Sequence, residues 1–504
     1  MRFMGWFTMA VMMAGIGQVY AAGPTGASLF WTSDDAVVRE ARDLVNQGEL
    51  ARAEKMLTEA PASAEGQRAR REGLETIRRI RGDYSQDLDS LLAAIRKNLP
   101  SATAADVEHW REQGQVQYRV LDGKICYFRR EPSNIWLFCT EAKERRARHE
   151  GRDPKAASGP SDKERRLFAH LEQVIAEAEQ TGDVEAVPIK HTIRYRLSVR
   201  PNRPGAKAGS LVRCWLPFAQ EYRQQKQVKL LRTQPAQHLV APNAVDGWPL
   251  GGAPQRTIYL EQKLADPGQA VTFEADFEYV SFAYYPQLDD AKARPLPADY
   301  HGGYLAERPP HIVFTPEIRA TVNRIVGDET NPLARARKIF HWMSRTYPWA
   351  AEQEYAIIPN LSEKLFKVGR GDCGTHALLY ITMCRIAGVP ARWQSGWETI
   401  PESYNMHDWA EIYVEPWGWL PTDISYGLKD SPNSKVHEFY FGHQDSYRLI
   451  VNLDYGWDLH PPKDDLRSEP ADFQRGEVEI DGRNLYFDEW TYRFEFDAER
   501  VTAK

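Results

Sequence analysis

Between residues 188 and 286 the apolar residues stop recurring at helical intervals and begin to alternate. The runs HTIRYRLSVR, LVRCWLPF, RTIYLEQKL and QAVTFEADFEYVSF set polar residues between apolar or aromatic ones, with Pro, Gly and Asn turns between runs. Period two belongs to strands with one face in a core and the other in water. Residues 186–290 are therefore expected to form an antiparallel β-sandwich. Helical patterns lie on both sides of it, so the chain is expected to be α+β and multi-domain.

Upstream, residues 31–140 are expected to be a helical N-terminal domain with a winged hairpin. Ser33 is placed to cap a first helix that Gly48 ends, and Ala53, Met56 and Leu57 supply the apolar stripe of a second. Thr103 caps the helix in ATAADVEHWREQG, and QVQYRVLDGKICYF alternates around Asp122-Gly123, a strong hairpin signal. Residues 141–185 read as a charged linker and helix, with Lys143, Arg145, Arg146 and Arg148 as a solvated face. Downstream, helices return at 305–430, where Thr315-Pro316 and Asn331-Pro332 repeat one starting device. Residues 431–504 read as a β-rich extension with no chemistry of its own.

The chain has 504 residues and a net charge of −6, so nothing global points to nucleic acid or anionic membranes. Residues 1–22 have the layout of a signal peptide: one Arg, a short apolar run, then small residues suited to cleavage after Ala21 or Ala22. The mature protein is expected in the periplasm or secreted, with no stable membrane insertion after cleavage. Five cysteines occur, with no Cys-x-x-Cys and no metal-like Cys/His spacing, so no metal or cofactor is expected. An odd count leaves at least one free thiol in an oxidising compartment. Cys126 and Cys139 flank the hairpin and could form a disulfide, which sequence spacing leaves open.

The free thiol that needs a reason is Cys373, in VGRGDCGTHALLYITMCRIAGVPARWQSGW (368–397). Gly369 and Gly371 precede it, and the helix that follows is closed by Gly388 and Pro390. A Cys at a helix N-terminus meets unpaired N–H groups and the positive end of the dipole, which favour a thiolate and an oxyanion beside it. Cys384, about three turns further on, falls on the apolar stripe with Tyr380 and reads as a core thiol. Cys214, beside Trp215 in a strand, reads the same way. A thiol nucleophile wants an imidazole and a group to orient it. His407 opens the strand HDWAEIYVE, and Asp423 lies in GWLPTDIS. The two are opposite if the hairpin turn centres near residue 415, and out of register if it centres on Trp417-Gly418. Asp408 is no substitute for Asp423, because neighbouring strand residues point to opposite faces. His376, one turn beyond Cys373, is a candidate donor behind the site, and residues 398–406 are a candidate substrate-lining loop.

Gly-Asp-Cys, a helix, Gly-Val-Pro-Ala-Arg, a His-Asp-Trp strand and a Gly-Trp…Asp strand, in that order over about 312–427, resemble the transglutaminase-like core of cysteine acyl transferases, peptidases and amidases. The resemblance implies a papain/transglutaminase-like α+β core with Cys373 as nucleophile, His407 as general base and acid, and Asp423 orienting His407. It also implies an aromatic oxyanion donor upstream of the Cys, with Tyr347 and Trp349 as candidates. The calcium dependence of animal transglutaminases is not implied. The function expected is hydrolysis of a protein, peptide, isopeptide or glycopeptide amide through a thioester, or its transfer to an amine. The alternatives are an unused core serving as a scaffold or binding protein, and an N-glycan amidase.

Overall fold

The computed structural model describes residues 35–59, 64–154, 159–247, 250–297, 300 and 303–502. The leader expected over residues 1–22 lies outside them. Two compact units divide the chain at residue 156.

The first unit is helical apart from one hairpin. Its order is α1 (Ala36–Asn46), α2 (Leu50–Glu59), α3 (Ala64–Asp83), α4 (Leu88–Arg96), α5 (Ala104–Glu112), β1 (Tyr118–Leu121), β2 (Lys124–Tyr127), α6 (Glu131–Phe138) and α7 (Thr140–His149). Asp35 caps α1 by accepting from the Val37 and Val38 N–H groups, so the start lies later than the expected cap, Ser33, which is outside the described residues. Thr103 caps α5 in a reciprocal box with Asp106. Asp122 and Gly123 both take positive φ, 48° and 77°, as a two-residue hairpin turn demands. Leu91, Ile95, Val107, Trp110, Tyr127 and Ile135 form the unit's core. No disulfide joins Cys126 to Cys139. The basic cluster on α7 is largely neutralised within its own unit: Arg145 pairs with Asp106 and Glu141, Arg146 with Glu150, and Arg148 with Glu144.

The second unit opens with α8 (Asp162–Thr181), followed by β3 (Glu185–Val199), β4 (Leu211–Pro217), β5 (Gln225–Gln234), β6 (Leu239–Val240), β7 (Thr257–Lys263) and β8 (Val271–Tyr284). Then come α9 (Pro316–Val326), α10 (Pro332–Thr346), α11 (Leu361–Val368), α12 (Cys373–Ile386), β9 (Ala391–Ile400), β10 (Ser403–Val414), β11 (Gly418–Thr422), α13 (Ser434–His437), β12 (Arg448–Asn452), β13 (Glu477–Ile480), β14 (Arg483–Leu485) and β15 (Trp490–Arg500). Every pair of these strands is antiparallel, so the fold is α+β. Thr315-Pro316 and Asn331-Pro332 start α9 and α10.

Two of the three sheets make the sandwich, in the orders β14-β13-β4-β7-β6 and β15-β3-β8-β5. Both need strands from the C-terminal tail: β13 pairs with β4, and β15 with β3 along its whole length. The tail is thus part of the sandwich rather than an extension beyond it. Ile193, Phe273 and Phe494 from one sheet meet Cys214, Leu260 and Val478 from the other, and Cys214 is fully buried. The third sheet, β11-β10-β9-β12, carries α12 on one face. Its helix partner is buried on nearly all sides, from Gly374 through Arg385, with Cys384 fully inside. That burial fixes where the first residue of α12 must lie.

Candidate active site

Cys373 is the first residue of α12, and Asp372 is its cap, accepting from the Thr375 N–H at 3.2 Å. The loop before it is pinned by residues 348–350: the Ala350 N–H donates to the Gly371 carbonyl at 2.8 Å. A side chain on Gly374 would overlap the Tyr355 ring, whose hydroxyl accepts from the Gly374 N–H at 3.1 Å. Tyr355 therefore sits directly on the helix N-terminus.

β10 faces two ways at the site. His407 lies opposite Gly396 on β9, and Asp408 lies opposite Ser395. Successive residues alternate faces. On one face, His407 Nε2 meets Asp423 Oδ2 at 2.6 Å. Arg448 reaches the same oxygen at 3.0 Å and Asp445 at 2.9 Å, and all four side chains are buried. Burial alone would raise the Asp423 carboxyl; His407 and Arg448 outweigh it and hold the group at about 2. On the other face, Cys373 Sγ donates to Asp408 Oδ2 at 3.1 Å. Asp408 is steadied by the Gln474 amide at 2.7 Å and by the Tyr355 hydroxyl at 3.3 Å.

Residues 319–424 match the family model of the transglutaminase-like superfamily. This segment is a transglutaminase-like core. An uncharacterized protein of Haemophilus influenzae is 22% identical over 231 residues, and the match covers 38% of this chain and 61% of the relative. Among solved structures, a provisionally assigned cysteine protease from Cytophaga hutchinsonii superposes with a TM-score of 0.41 at 12% identity, covering 64% of this chain and 93% of that one. The periplasmic domain of TgpA from Pseudomonas aeruginosa gives 0.22 at 14% identity, covering 51% and 91%.

Within the transglutaminase-like core, the expected residues fall into two groups. His407 and Asp423 are together; the hydrogen bond of the Cys373 thiol goes to Asp408 instead of to His407. The helix N-terminus was expected to favour a thiolate. In this arrangement burial, then the Asp408 and Asp372 carboxylates, push the thiol well above its ordinary pKa. Of the two oxyanion candidates, Tyr347 is buried, with its ring edge-on to Trp342 and His376. Trp349 is 41% exposed, and its backbone bridges to Gly371, two residues before Cys373. His376 ties the helix start to the preceding chain, with its nitrogens 2.6 Å from the Asp372 carbonyl oxygen and 3.1 Å from that of Tyr347. Residues 398–406 are not a loop. They are the ends of β9 and β10 joined at Pro401-Glu402, and the tip lines a cleft of about 520 Å³ with Arg493–Ala498.

Sequence reasoning missed Tyr355, Arg448, Asp472 and Gln474. The last three come from the tail that was read as carrying no chemistry. The alternation rule assigns Asp408 its face correctly but is silent about what that face meets. Among the described residues no group of three His, Cys, Asp or Glu is arranged to hold a metal, and no helix is long and apolar enough to cross a membrane.

Proposed function

We propose that the protein is an exported thiol-dependent amide hydrolase or transferase, with Cys373 as nucleophile, His407 as general base and acid, and Asp423 orienting the imidazole. The observation that carries this reading is the His407–Asp423 contact at 2.6 Å inside a segment that matches the transglutaminase-like model. Asp423 engages Nε2, so Nδ1 is the nitrogen that takes the thiol proton, and the reading requires the Cys373 side chain to leave Asp408 and reach the His407 side of β10. The sulfur then bonds to the amide carbon, the carbonyl electrons become the oxyanion, and His407 returns the proton to the leaving amine as the C–N bond breaks. Water or a second amine resolves the thioester. Trp349 suits the oxyanion role better than Tyr347, because its indole is exposed next to the loop that presents Cys373.

The test is turnover on a library of peptides, isopeptides, glutamine-containing proteins and glycopeptides, with Cys373→Ala as control. Turnover by wild type that disappears in Cys373→Ala and falls by two or more orders of magnitude in His407→Ala supports the reading. Full activity in Cys373→Ala would end it. The scaffold alternative draws on one observation, the Cys373–Asp408 contact. It predicts partner binding that Cys373→Ala leaves intact.

A further inference from the structure

The face of β10 that meets the nucleophile carries a buried carboxylate with no part in the reaction proposed above. Asp408 is 3% exposed and touches the sulfur itself. Its second oxygen is held by Gln474, whose amide also donates to the His407 carbonyl at 3.0 Å, so the carboxylate is not free to swing away. Ser395, its partner across the ladder, donates to Asp472 at 2.7 Å, which brings a second buried carboxylate to the same pocket. Asp372, the half-buried cap of α12, adds a third carboxylate. The charged groups that bear on this cluster are Lys364 and His376 next to Asp372, and Arg467 next to Asp472. None of them forms an ion pair with Asp408.

We propose that Asp408 sets the proton state of Cys373, holding it as a neutral S–H···O thiol until an entering acyl group breaks that contact and lets His407 take the proton. The inference rests on Cys373 being the nucleophile. A thiolate formed at 3.1 Å from a carboxylate in a water-poor site suffers strong like-charge repulsion, whereas a thiol there donates a hydrogen bond. Burial and the neighbouring Asp472 and Asp372 also raise the Asp408 carboxyl well above the usual range. The thiol's hydrogen bond draws it back down while its own charge pushes the thiol up, so Asp408 ionises first and then opposes the thiolate. The cluster as a whole therefore resists one more negative charge. Moving the sulfur from Asp408 toward a substrate carbonyl removes the repulsion at the moment the S–C bond forms. The proton leaves to His407 Nδ1 and later to the amine, so Asp408 neither gains nor loses one over the cycle.

The experiment is the pH profile of Cys373 alkylation by iodoacetamide in the full chain, with the site assigned by peptide mass. Asp408→Asn removes the charge and keeps the shape; its midpoint is expected to fall by about one pH unit, with about ten-fold faster labelling at pH 7. Asp408→Glu keeps the charge and the high midpoint. Asp408→Ser carries the same expectation as the amide and serves if Asn does not fit beside Gln474. An unchanged midpoint in the uncharged variants overturns the proposal, and so does a higher one, which would make Asp408 an aid to ionisation. Amide turnover on the same samples separates the two readings: a shifted midpoint without turnover sinks the hydrolase and leaves the proton-holding role, and turnover with an unshifted midpoint does the reverse.

Discussion

His407 and Asp423 meet at 2.6 Å on a diagonal of the β10–β11 ladder, not across it. Ala410 faces Thr422 and Val414 faces Gly418, so continuing the ladder would set His407 opposite residue 425. Asp423 lies just past the end of β11, two positions short of that point. Diagonal neighbours in a sheet are within reach of long side chains. Arg448, from β12 at the other edge of the same sheet, closes the pair from the side.

The pair should leave a signature in acid. Asp423 is held at about 2, below an unfolded value near 3.9. A depressed carboxyl contributes stability above its unfolded pKa and loses it as pH falls through the folded one. In urea titrations, wild type should exceed Asp423→Asn by about 2 kcal/mol at pH 6, and the gap should close between pH 4 and 2. A gap that stays constant down to pH 2 would show that His407 and Arg448 do not favour the ionised form.

Arg448 is 1% exposed between two carboxylates, Asp423 and Asp445. Replacing it with Met fills much of the volume but strands both charges. Removing one partner of a buried ion pair costs about 3–5 kcal/mol. Arg448→Met should lose that much in urea at pH 7, and the loss should shrink in acid as the carboxylates protonate. A loss under about 1 kcal/mol at pH 7 would mean that water reaches both groups.

Local signals in the sequence carried the helix starts at Thr103, Thr315 and Asn331, the Asp122-Gly123 turn and the position of Cys373, because each depends on residues within a few places. What escaped depends on contacts far apart in the chain. β15 alternates weakly, since much of it is exposed, and its pairing with β3 spans some 300 residues, as in Arg194–Asp497. No local pattern marks such a partner. Arg448 and Gln474 escaped for the same reason: their meaning comes from the sheet edge and the tail that deliver them to β10. The thiol's real neighbour was hidden differently. Alternation separates His407 from Asp408, but only the packing of α12 decides which face the sulfur meets.

Gly396, opposite His407, is a backbone contact point. An added Cβ would overlap the Leu449 carbonyl oxygen and approach the Val451 nitrogen at 3.1 Å, both main-chain atoms of β12. Overpacking costs about 1–3 kcal/mol where side chains can yield, and here backbone must move. Gly396→Ala should therefore lose at least that much stability and displace Arg448 from Asp423. Gly82→Ala in α3 is the contrast. Nothing lies within 4 Å of the new Cβ, and the change should be neutral or stabilise by about 0.5–1 kcal/mol.

The C-terminal strands make a prediction about Phe494. Its ring stacks on Trp397 of β9 at 4.3 Å between centroids, nearly parallel, and is 2% exposed. The contact joins a sandwich strand from the tail to the strand opposite the His407-bearing β10, so it couples the sandwich to the site-bearing sheet. Phe→Ala in a buried position costs about 3–5 kcal/mol. Phe494→Ala should lower the urea midpoint by the equivalent of that range and quench or shift tryptophan fluorescence. Phe494→Leu, which keeps most of the volume, should recover more than half of the loss. If Phe494→Ala is nearly silent while the chain stays folded, the tail strands are not part of the unit's cooperative core, and a chain ending before residue 477 should then fold as well.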